Sequence, residues 1–180
     1  MENQEKLISL RDNPTFLAPA QTLYAAAFPP AERRTPEEWG RQIMQERHFH
    51  ALAFVRGEAF GGFISYWDFR DFLYVEHFAV NPELRGGGLG GAILDRFVRQ
   101  AAGRPVVLEV EPPQSAMARR RIGFYECHGF SLSGRPYLQP PYAEGGESLP
   151  LMLMSTDAEQ LEANFDQTCA TIHRMVYHAV

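Results

Sequence analysis

A glycine-rich run at residues 85–91 constrains this chain more than any other segment. Its sequence is Arg-Gly-Gly-Gly-Leu-Gly-Gly, and it lies between an apolar, strand-like segment and an amphipathic, helix-like segment. Five of its seven residues are glycine, so the backbone N–H groups are uncovered, and the helix that follows adds the positive end of its dipole. Such a loop predicts a binding site for a pyrophosphate group.

Three types of phosphate-binding loop could account for this run, besides a glycine-rich turn that binds nothing. A Walker-type loop requires a lysine after its last glycine, and the only lysine of the chain is Lys6. The dinucleotide pattern G-x-G-x-x-G is present at 86–91, with Glu111 about twenty residues further on as a ribose-binding acid. Against this pattern, the preceding strand ends near Val80, too early for a tight strand-to-helix turn, and too little chain follows Glu111 to complete a doubly wound sheet.

The third type, R-x-x-G-x-G, is present at Arg85, Gly88 and Gly90, after an apolar strand at 73–80. In order and spacing this segment resembles the acetyl-CoA pyrophosphate loop of the GNAT superfamily of acyl-CoA N-acyltransferases. A second block, RIGFYECHGF at 121–130, is similar to a later helix of that family, in which a tyrosine precedes a terminal Gly-Phe. The two blocks occur in the family's order with a strand between them. Together they indicate the resemblance more strongly than either block alone.

Apolar periodicity, prolines and helix caps predict the element order β-α-α-β-β-β-α-β-α-β-β over about residues 6–154. This order matches the GNAT fold. The resemblance implies an α/β (α+β) fold with a mixed, mostly antiparallel central sheet of about six to seven strands flanked by helices. No repeat or linker divides the chain, so residues 1–180 are expected to form a single GNAT domain. A capping box at 156–159 predicts one more helix, over about 157–178, which lies beyond the resemblance.

Each element has a local signal in the sequence. A capping box at 35–38 has proline at the first helical position, and a turn at Gly57 joins two apolar strands. Ser115 can cap a helix that Gly129 would end. The strands are predicted at about 6–11, 50–56, 60–68, 72–80, 106–110, 130–135 and 149–154, and the helices at about 19–28, 35–45 and 115–127, with one more helix that begins after the glycine loop and carries Leu89, Ile93 and Phe97 on one stripe.

The resemblance implies that acetyl-CoA is the co-substrate and that main-chain groups hold it. The pyrophosphate is expected against the loop residues Arg85, Gly86, Gly87, Gly88, Leu89, Gly90 and Gly91. The strand edge at Phe78, Ala79 and Val80 is expected to hydrogen-bond the pantetheine arm as another strand would, and a backbone N–H there would polarise the thioester carbonyl. No metal is expected, because no His/Cys spacing suggests a metal site.

Tyr125 is the candidate general acid, because the resemblance places it where a tyrosine returns a proton to the CoA thiolate. A phenol with an ordinary pKa of about 10 is protonated at neutral pH and can donate. The structural alternative is a core tyrosine on an amphipathic helix. The family often has asparagine and alanine where this chain has Ala118 and Arg121, so one polar contact to CoA is missing from the pattern.

Glu76 is the candidate general base, acting through water on an ammonium acceptor. It is an acidic residue in the middle of an otherwise apolar strand, a costly position unless the carboxylate is partnered or faces a wet cleft. Strict alternation along the strand puts it on one face with Tyr74, Phe78 and Val80. The structural alternative is a buried carboxylate paired with an arginine or a histidine, and Tyr74 and His77 are substitutes for the base.

Composition and charge limit which binding partners and which cellular compartment are expected for this chain. The net charge of −5 argues against nucleic acid as a partner and suits a cationic amine. No apolar run approaches the roughly twenty residues that cross a bilayer, so no membrane interaction is expected. The N-terminus has no signal-peptide pattern, and Cys127 and Cys169 form no CxxC pair, so a cytoplasmic protein with reduced thiols is expected.

These features predict an N-acetyltransferase that moves an acetyl group from acetyl-CoA to a small-molecule or peptide amine by direct transfer in a ternary complex. The alternative is a non-catalytic acyl-CoA-binding module of the same fold, with a regulatory role. The resemblance places the acceptor between residues 28–35 and 137–147, with Glu32, Glu144 and Glu147 to attract a cation.

The helix predicted at 157–178 carries a continuous apolar face. Such a face has to pack on its own domain or on a second copy of the chain, and closed two-fold pairs are the commonest oligomers. A homodimer is therefore expected ahead of intramolecular packing. The face consists of Leu161, Phe165, Ile172, Met175 and Val176.

Overall fold

The computed structural model describes residues 5–179, and its centre is an open sheet. The strands are β1 (Glu5–Ser9), β2 (Phe49–Arg56), β3 (Ala59–Asp68), β4 (Leu73–Val80), β5 (Val106–Val110), β6 (Ser131–Leu132), β7 (Tyr137–Gln139) and β8 (Leu149–Ser155). Their order across the sheet is β1-β2-β3-β4-β5-β8-β6, with β7 also paired to β8. Every described pair is antiparallel except β4 with β5. The predicted mixed, mostly antiparallel sheet is confirmed, with eight strands.

Helices cover both faces of this sheet. They are α1 (Leu17–Ala27), α2 (Pro36–Gln45), α3 (Leu89–Gln100), α4 (Ala116–Cys127), α5 (Ala158–Ala163) and α6 (Phe165–Val176). We call the face covered by α1, α2, α5 and α6 the first face, and the face covered by α3 and α4 the second face. Each face has its own buried apolar cluster. Within residues 5–179, none of the helices is long and apolar enough to cross a bilayer.

Local sequence signals define several of these helix ends. The Thr35 hydroxyl accepts from the Glu38 N–H at 3.2 Å, and the Glu38 carboxylate accepts from the Thr35 N–H at 3.0 Å, so the capping box is present. The Ser115 hydroxyl accepts from the Ala118 N–H at 3.0 Å at the start of α4. Gly129, just past the end of α4, has a φ of +87°, the left-handed conformation that glycine adopts at low cost.

The chain after α4 differs from the prediction in two places. The strand predicted at 130–135 is reduced to β6, and the chain pairs with β8 a second time through β7. The helix cap predicted at Thr156 is at Asp157 instead, whose side chain accepts from the Gln160 N–H at 2.9 Å. The Thr156 hydroxyl accepts from the Val106 N–H, also at 2.9 Å, and so joins the chain to the start of β5.

The predicted C-terminal helix is two helices, because the backbone at Asn164 leaves the helical region with φ −120° and ψ 21°. Its apolar face is covered by the chain's own first-face cluster, so intramolecular packing accounts for it. Four of the five predicted residues are buried, and Met175 packs partly against the same cluster; the buried ones are Leu161, Phe165, Ile172 and Val176. This face therefore gives no argument for a homodimer, which stays a prediction.

A bulge in β4 sets the geometry around its centre. Ser65 of β3 pairs with His77, but the next residue, Tyr66, pairs with Val75. Glu76 is therefore an extra residue in β4. A bulge of this kind interrupts the alternation of side chains between the two faces of a sheet.

The bulge overturns the expected grouping of side chains around Glu76. Glu76 hydrogen-bonds Trp67, and His77 packs edge-on against α1, so both neighbours point to the first face. Phe78 and Val80 instead pack in the cluster beneath α3. The prediction that Glu76 shares a face with Phe78 and Val80 is wrong, because strict alternation does not allow for an extra residue.

The two parallel strands β4 and β5 separate after a short paired stretch. They pair at three positions, of which Val75 with Leu108 is the last. From Glu76 onward, the edge of β4 that faces β5 has no strand partner among residues 5–179. The sheet therefore opens between these strands.

Candidate active site

The opening between β4 and β5 is a cleft of about 630 Å³, which we call the loop cleft. Phe78, Ala79 and Val80 line it, and they pair with β3 only through their other edge. Successive residues of a strand direct their main-chain groups to alternate edges, so the groups of Phe78 and Val80 lie on the open edge, where they can hydrogen-bond a ligand that lies along the strand, as in β-strand addition. Other predicted site residues that line the cleft are Glu76, Arg85, Gly86, Gly88, Leu89, Gly90, Gly91 and Tyr125; Gly87 is not among the lining residues.

The glycine loop closes one end of the loop cleft. Gly86 and Gly88 have φ values of +92° and +73°, which residues with a side chain rarely adopt. No described atom beyond their chain neighbours lies within 4 Å of where a Cβ of residues 86–88 would stand. Gly88 is the N-cap of α3, and no side chain caps this helix end. Uncapped N–H groups beside open space suit a bound pyrophosphate.

Gly91 has a different reason to be glycine. A Cβ at this position would lie 2.6 Å from the ring of His128, which packs directly on the first turn of α3. The Nδ1 atom of His128 is 2.7 Å from Oδ1 of Asp95 on the same helix. Gly91 therefore allows close packing of α3 and the end of α4, whereas the glycines at 86–88 leave open space for a ligand.

Tyr125 lines the loop cleft from the second face of the sheet. Its ring meets Phe130 edge-on, with centroids 5.6 Å apart, so the Gly-Phe that ends the motif orients the tyrosine. Burial raises the pKa of Tyr125 to about 12, with Arg121 opposing the rise. The phenol therefore stays protonated over the physiological range and can act as a proton donor.

Glu76 is held by three other side chains. Trp67 Nε1 donates to Oε2 at 2.6 Å, the Tyr142 hydroxyl donates to Oε1 at 2.9 Å, and Arg34 forms a salt bridge with Oε1. Burial acts to raise the pKa of Glu76, but the charge of Arg34 and the hydrogen bonds from Trp67 and Arg34 outweigh it and lower the pKa below its ordinary value. The side chain has no exposed surface. This arrangement corresponds to the structural alternative, and a carboxylate held in this way is a weak base.

A second acidic residue, Glu109 of β5, lies beside the same opening. The Tyr137 hydroxyl donates to Oε1 at 2.5 Å, and the Tyr177 hydroxyl and Gln139 Nε2 donate to Oε2 at 3.0 and 2.8 Å. No salt bridge reaches Glu109 among residues 5–179. Burial raises the pKa of Glu109 to about 7, and the hydrogen bonds offset it only in part.

Sequence patterns did not single out Glu109, although a signal was present. The strand VVLEV at 106–110 places one acid among apolar residues, the same pattern that pointed to Glu76. In the structure, Glu76 and Glu109 differ in the groups that surround them. Glu76 has a cation, whereas Glu109 has neutral donors only, so their pKa values move in opposite directions, as in sites that assign different roles to two carboxylates.

A second cleft, of about 410 Å³, adjoins the loop cleft beside the β7–β8 hairpin, and we call it the hairpin cleft. Glu76 and Glu109 line both clefts. The segments predicted to hold the acceptor contribute Phe28, Glu32, Gln139 and Tyr142 to its lining. Glu144 and Glu147 are not among its lining residues. Besides Glu76 and Glu109, the acidic residues that line it are Glu32 and Glu111.

Comparison with known proteins agrees with this geometry. The family model described as Acetyltransferase (GNAT) family matches residues 16–130. A solved structure from Bacteroides thetaiotaomicron, provisionally described as a GNAT-family acetyltransferase, is 38% identical, covers 98% of this chain and 99% of that chain, and superposes with a TM-score of 0.89. This chain therefore belongs to the GNAT family of acetyltransferases.

Two other proteins show how far the likeness extends. YjbC of Bacillus subtilis (strain 168), provisionally described as an acetyltransferase, is 29% identical over 69 residues, which span 37% of this chain and only 35% of that relative. The ribosomal-protein-S18-alanine N-acetyltransferase of Escherichia coli is 19% identical, with a TM-score of 0.61 over 84% of this chain and 92% of that chain. The second likeness concerns the fold alone.

Proposed function

We propose that this protein is an acetyl-CoA-dependent N-acetyltransferase that transfers the acetyl group directly to an amine in a ternary complex. The observation that carries the proposal is the position of Glu109, a carboxylate with a pKa near neutrality that lines both clefts. A donor in the loop cleft and an amine in the hairpin cleft would meet beside it. Because both substrates bind together, no covalent intermediate on the protein is required.

The loop cleft is the proposed donor site. The free N–H groups of the glycine loop would hold the pyrophosphate, and Arg85, which is exposed beside them, would add a positive charge. The open edge of β4 at 78–80 would hydrogen-bond the pantetheine arm. A backbone N–H of the same edge would stabilise the oxyanion that forms on the thioester carbonyl.

Glu109, rather than Glu76, is the proposed general base. An amine acceptor is an ammonium ion at neutral pH and has to lose a proton before it can attack. A carboxylate with a pKa of about 7 can take that proton, directly or through one water, and release it again. Glu76 keeps its charge because of Arg34. Its proposed role is to hold Tyr142, which lines the hairpin cleft, together with Arg34 and Trp67.

Tyr125 is the proposed general acid. The neutral amine attacks the acetyl carbonyl carbon, a C–N bond forms, and the C–S bond breaks as the tetrahedral intermediate collapses. Tyr125 gives its proton to the leaving thiolate, and solvent restores it. The attacking nitrogen gives its second proton to solvent as the intermediate collapses, and the proton taken by Glu109 also returns to solvent. With one proton drawn from solvent to restore Tyr125, the products are the N-acetyl amide, CoA thiol and one proton.

The proposed acceptor is a cationic small-molecule or peptide amine. Glu32 and Glu111 line the hairpin cleft at the surface and would attract a positive charge toward Glu109. The rings of Phe28 and Tyr142 line the same cleft and can pack on an alkyl chain or on the cation itself.

The decisive experiment measures CoA thiol release from acetyl-CoA with a panel of amines and N-terminal peptides. The proposal expects release that depends on the amine, and loss of at least about 10²-fold in turnover for Glu109→Gln. The matched control is Glu58→Gln in the exposed β2–β3 turn, which should keep full activity. Tight acetyl-CoA binding with no release for any amine would favour the non-catalytic acyl-CoA-binding module.

A further inference from the structure

The end of α6 reaches both buried carboxylates of the opening. The backbone carbonyl of Val176 accepts from Arg34 Nη2 at 2.5 Å, and Arg34 pairs with Glu76. The hydroxyl of Tyr177, the C-cap of α6, lies 3.2 and 3.0 Å from the two oxygens of Glu109. Residues 158–177 lie outside the segment that the family model matches, yet they contact the centre of the site.

The direction of the hydrogen bonds at Tyr177 follows from its neighbours. Gln139 Nε2 donates to the Tyr177 oxygen at 2.7 Å, and the Tyr74 hydroxyl lies 3.1 Å away. An ionised carboxylate can only accept, so Tyr177 directs its single proton to Glu109. The Tyr74 hydroxyl can donate to Tyr177 or to Glu109 itself, where its hydrogen bond also acts to lower the pKa of the carboxyl. The result is a chain of neutral donors that ends on one carboxylate.

We propose that Tyr177 is a positioning residue of the transfer reaction, which orients the Glu109 carboxylate toward the meeting point of the two clefts and supports its ionised form. The C-terminal helices thereby complete the acceptor side of the site. This inference rests on the proposed role of Glu109 as the base.

The group that donates a hydrogen bond to Glu109 at this position is a phenol, and this chemistry affects the pKa of Glu109. A cation at the position of Tyr177 would hold Glu109 permanently ionised, as Arg34 does for Glu76, and would leave it unable to exchange a proton near neutral pH. A phenol stabilises the ionised form of Glu109 less strongly than a cation does, because it brings no net charge. The titratable groups that face Glu109 from the surrounding elements are Tyr74 and Glu76 of β4, Tyr137 of β7, Tyr142 of the β7–β8 connection, Cys169 of α6 and Tyr177.

The test uses Tyr177→Phe, which keeps the ring that packs against Tyr142 and removes only the hydroxyl. Loss of one hydrogen bond to the charged form should raise the pKa of Glu109 by about one pH unit. This shift is measured by ¹³C NMR titration of carboxyl-labelled glutamate in the free protein, with the Glu109 signal assigned by its loss in Glu109→Gln. The rising limb of kcat/KM against pH should move by the same amount. Tyr66→Phe, a tyrosine on β3 away from both clefts, should change neither readout.

The outcomes separate the two hypotheses. An unshifted Glu109 signal in Tyr177→Phe overturns the role of Tyr177 and leaves Glu109 as the proposed base. A shifted signal with an unmoved rate profile overturns Glu109 as the base and, with it, the positioning role. If the variant does not fold, the wild-type protein decides: the ¹³Cζ signal of Tyr177 should titrate with Glu109 and stay constant in Glu109→Gln, and a constant signal in the wild type overturns the proposal.

Discussion

Glu76 and Glu109 are each the first residue beyond the last paired position of β4 and β5, which is Val75 with Leu108. The opening therefore begins with one glutamate on each of the two separating strands. Arg34 keeps the pKa of Glu76 low, whereas neutral donors leave that of Glu109 near 7. One opening thus has a permanent anion and an anion that can take up a proton.

The rate profile should show a single rising limb. Because Glu109 has to be ionised to accept a proton, kcat/KM is expected to rise with pH and to level off above the pKa of about 7. In Glu109→Gln the remaining activity should lose this limb. A profile that is unchanged in shape in the variant would show that another group is the base.

Tyr125→Phe should lower turnover by about 10²-fold and leave acetyl-CoA affinity unchanged, since only the proton donor to the thiolate is lost. Isothermal titration calorimetry measures the affinity for acetyl-CoA, and steady-state kinetics measure the turnover. Substrates with a better thiol leaving group should narrow the difference between wild type and variant. Full activity of Tyr125→Phe would remove this residue from the mechanism.

The glycine loop can be tested without backbone strain at Gly87, which has an ordinary φ and open space around its Cβ position. Gly87→Val is expected to keep the free energy of unfolding within about 0.5 kcal/mol and to weaken CoA binding at least about tenfold, because the side chain covers neighbouring N–H groups. Gly134→Val, at another open glycine with ordinary φ outside both clefts, is the control. Equal CoA affinity in the two variants would contradict the pyrophosphate site.

Arg34→Met should destabilise the fold by about 3 kcal/mol, because it leaves the carboxylate of Glu76 buried without its cation. The loss should grow from pH 4 to pH 8, since protonation relieves the unpaired charge at low pH. Urea unfolding at both pH values measures it. Arg56→Met, which breaks the exposed pair with Glu5, should change stability by less than about 0.5 kcal/mol, and a similar small loss for Arg34→Met would refute the prediction.

Glu109 should make stability depend on pH between about 4.5, the ordinary glutamate value, and about 7. In this window the folded state binds more protons than the unfolded state, so the contribution of Glu109 to stability falls as pH rises, by about 3 kcal/mol in all. The lowered pKa of Glu76 affects stability only below this pH window. The lowered pKa of buried His77 makes stability rise with pH within the window, which opposes the effect of Glu109.

The measurement is therefore the difference in unfolding free energy between wild type and Glu109→Gln. That difference should change by about 3 kcal/mol from pH 4 to pH 8, in favour of the variant at high pH. Glu58→Gln should show a constant difference. A constant difference for Glu109→Gln as well would mean that the folded protein does not raise the pKa of this carboxyl.

The sequence by itself determined the elements whose causes are local. The capping box at Thr35, the cap at Ser115 and the helix end at Gly129 each depend on a few adjacent residues, so their patterns predict the structure correctly. The same holds for the order of strands and helices up to β5. The glycine loop and the Tyr125 motif could be recognised as resembling those of the family because each is contiguous in the sequence; their roles toward CoA stay predictions.

Only the tertiary structure decided how the pKa values of the two carboxyls differ. Arg34 is 42 residues from Glu76, and the donors Tyr137 and Tyr177 are 28 and 68 residues from Glu109. In the sequence, each of the two glutamates is a single acid in an apolar strand. The bulge that puts Glu76 and His77 on the same face leaves no local pattern. The physical reason is that a pKa depends on burial and on the charges within a few ångströms, and folding brings those charges together from distant parts of the chain.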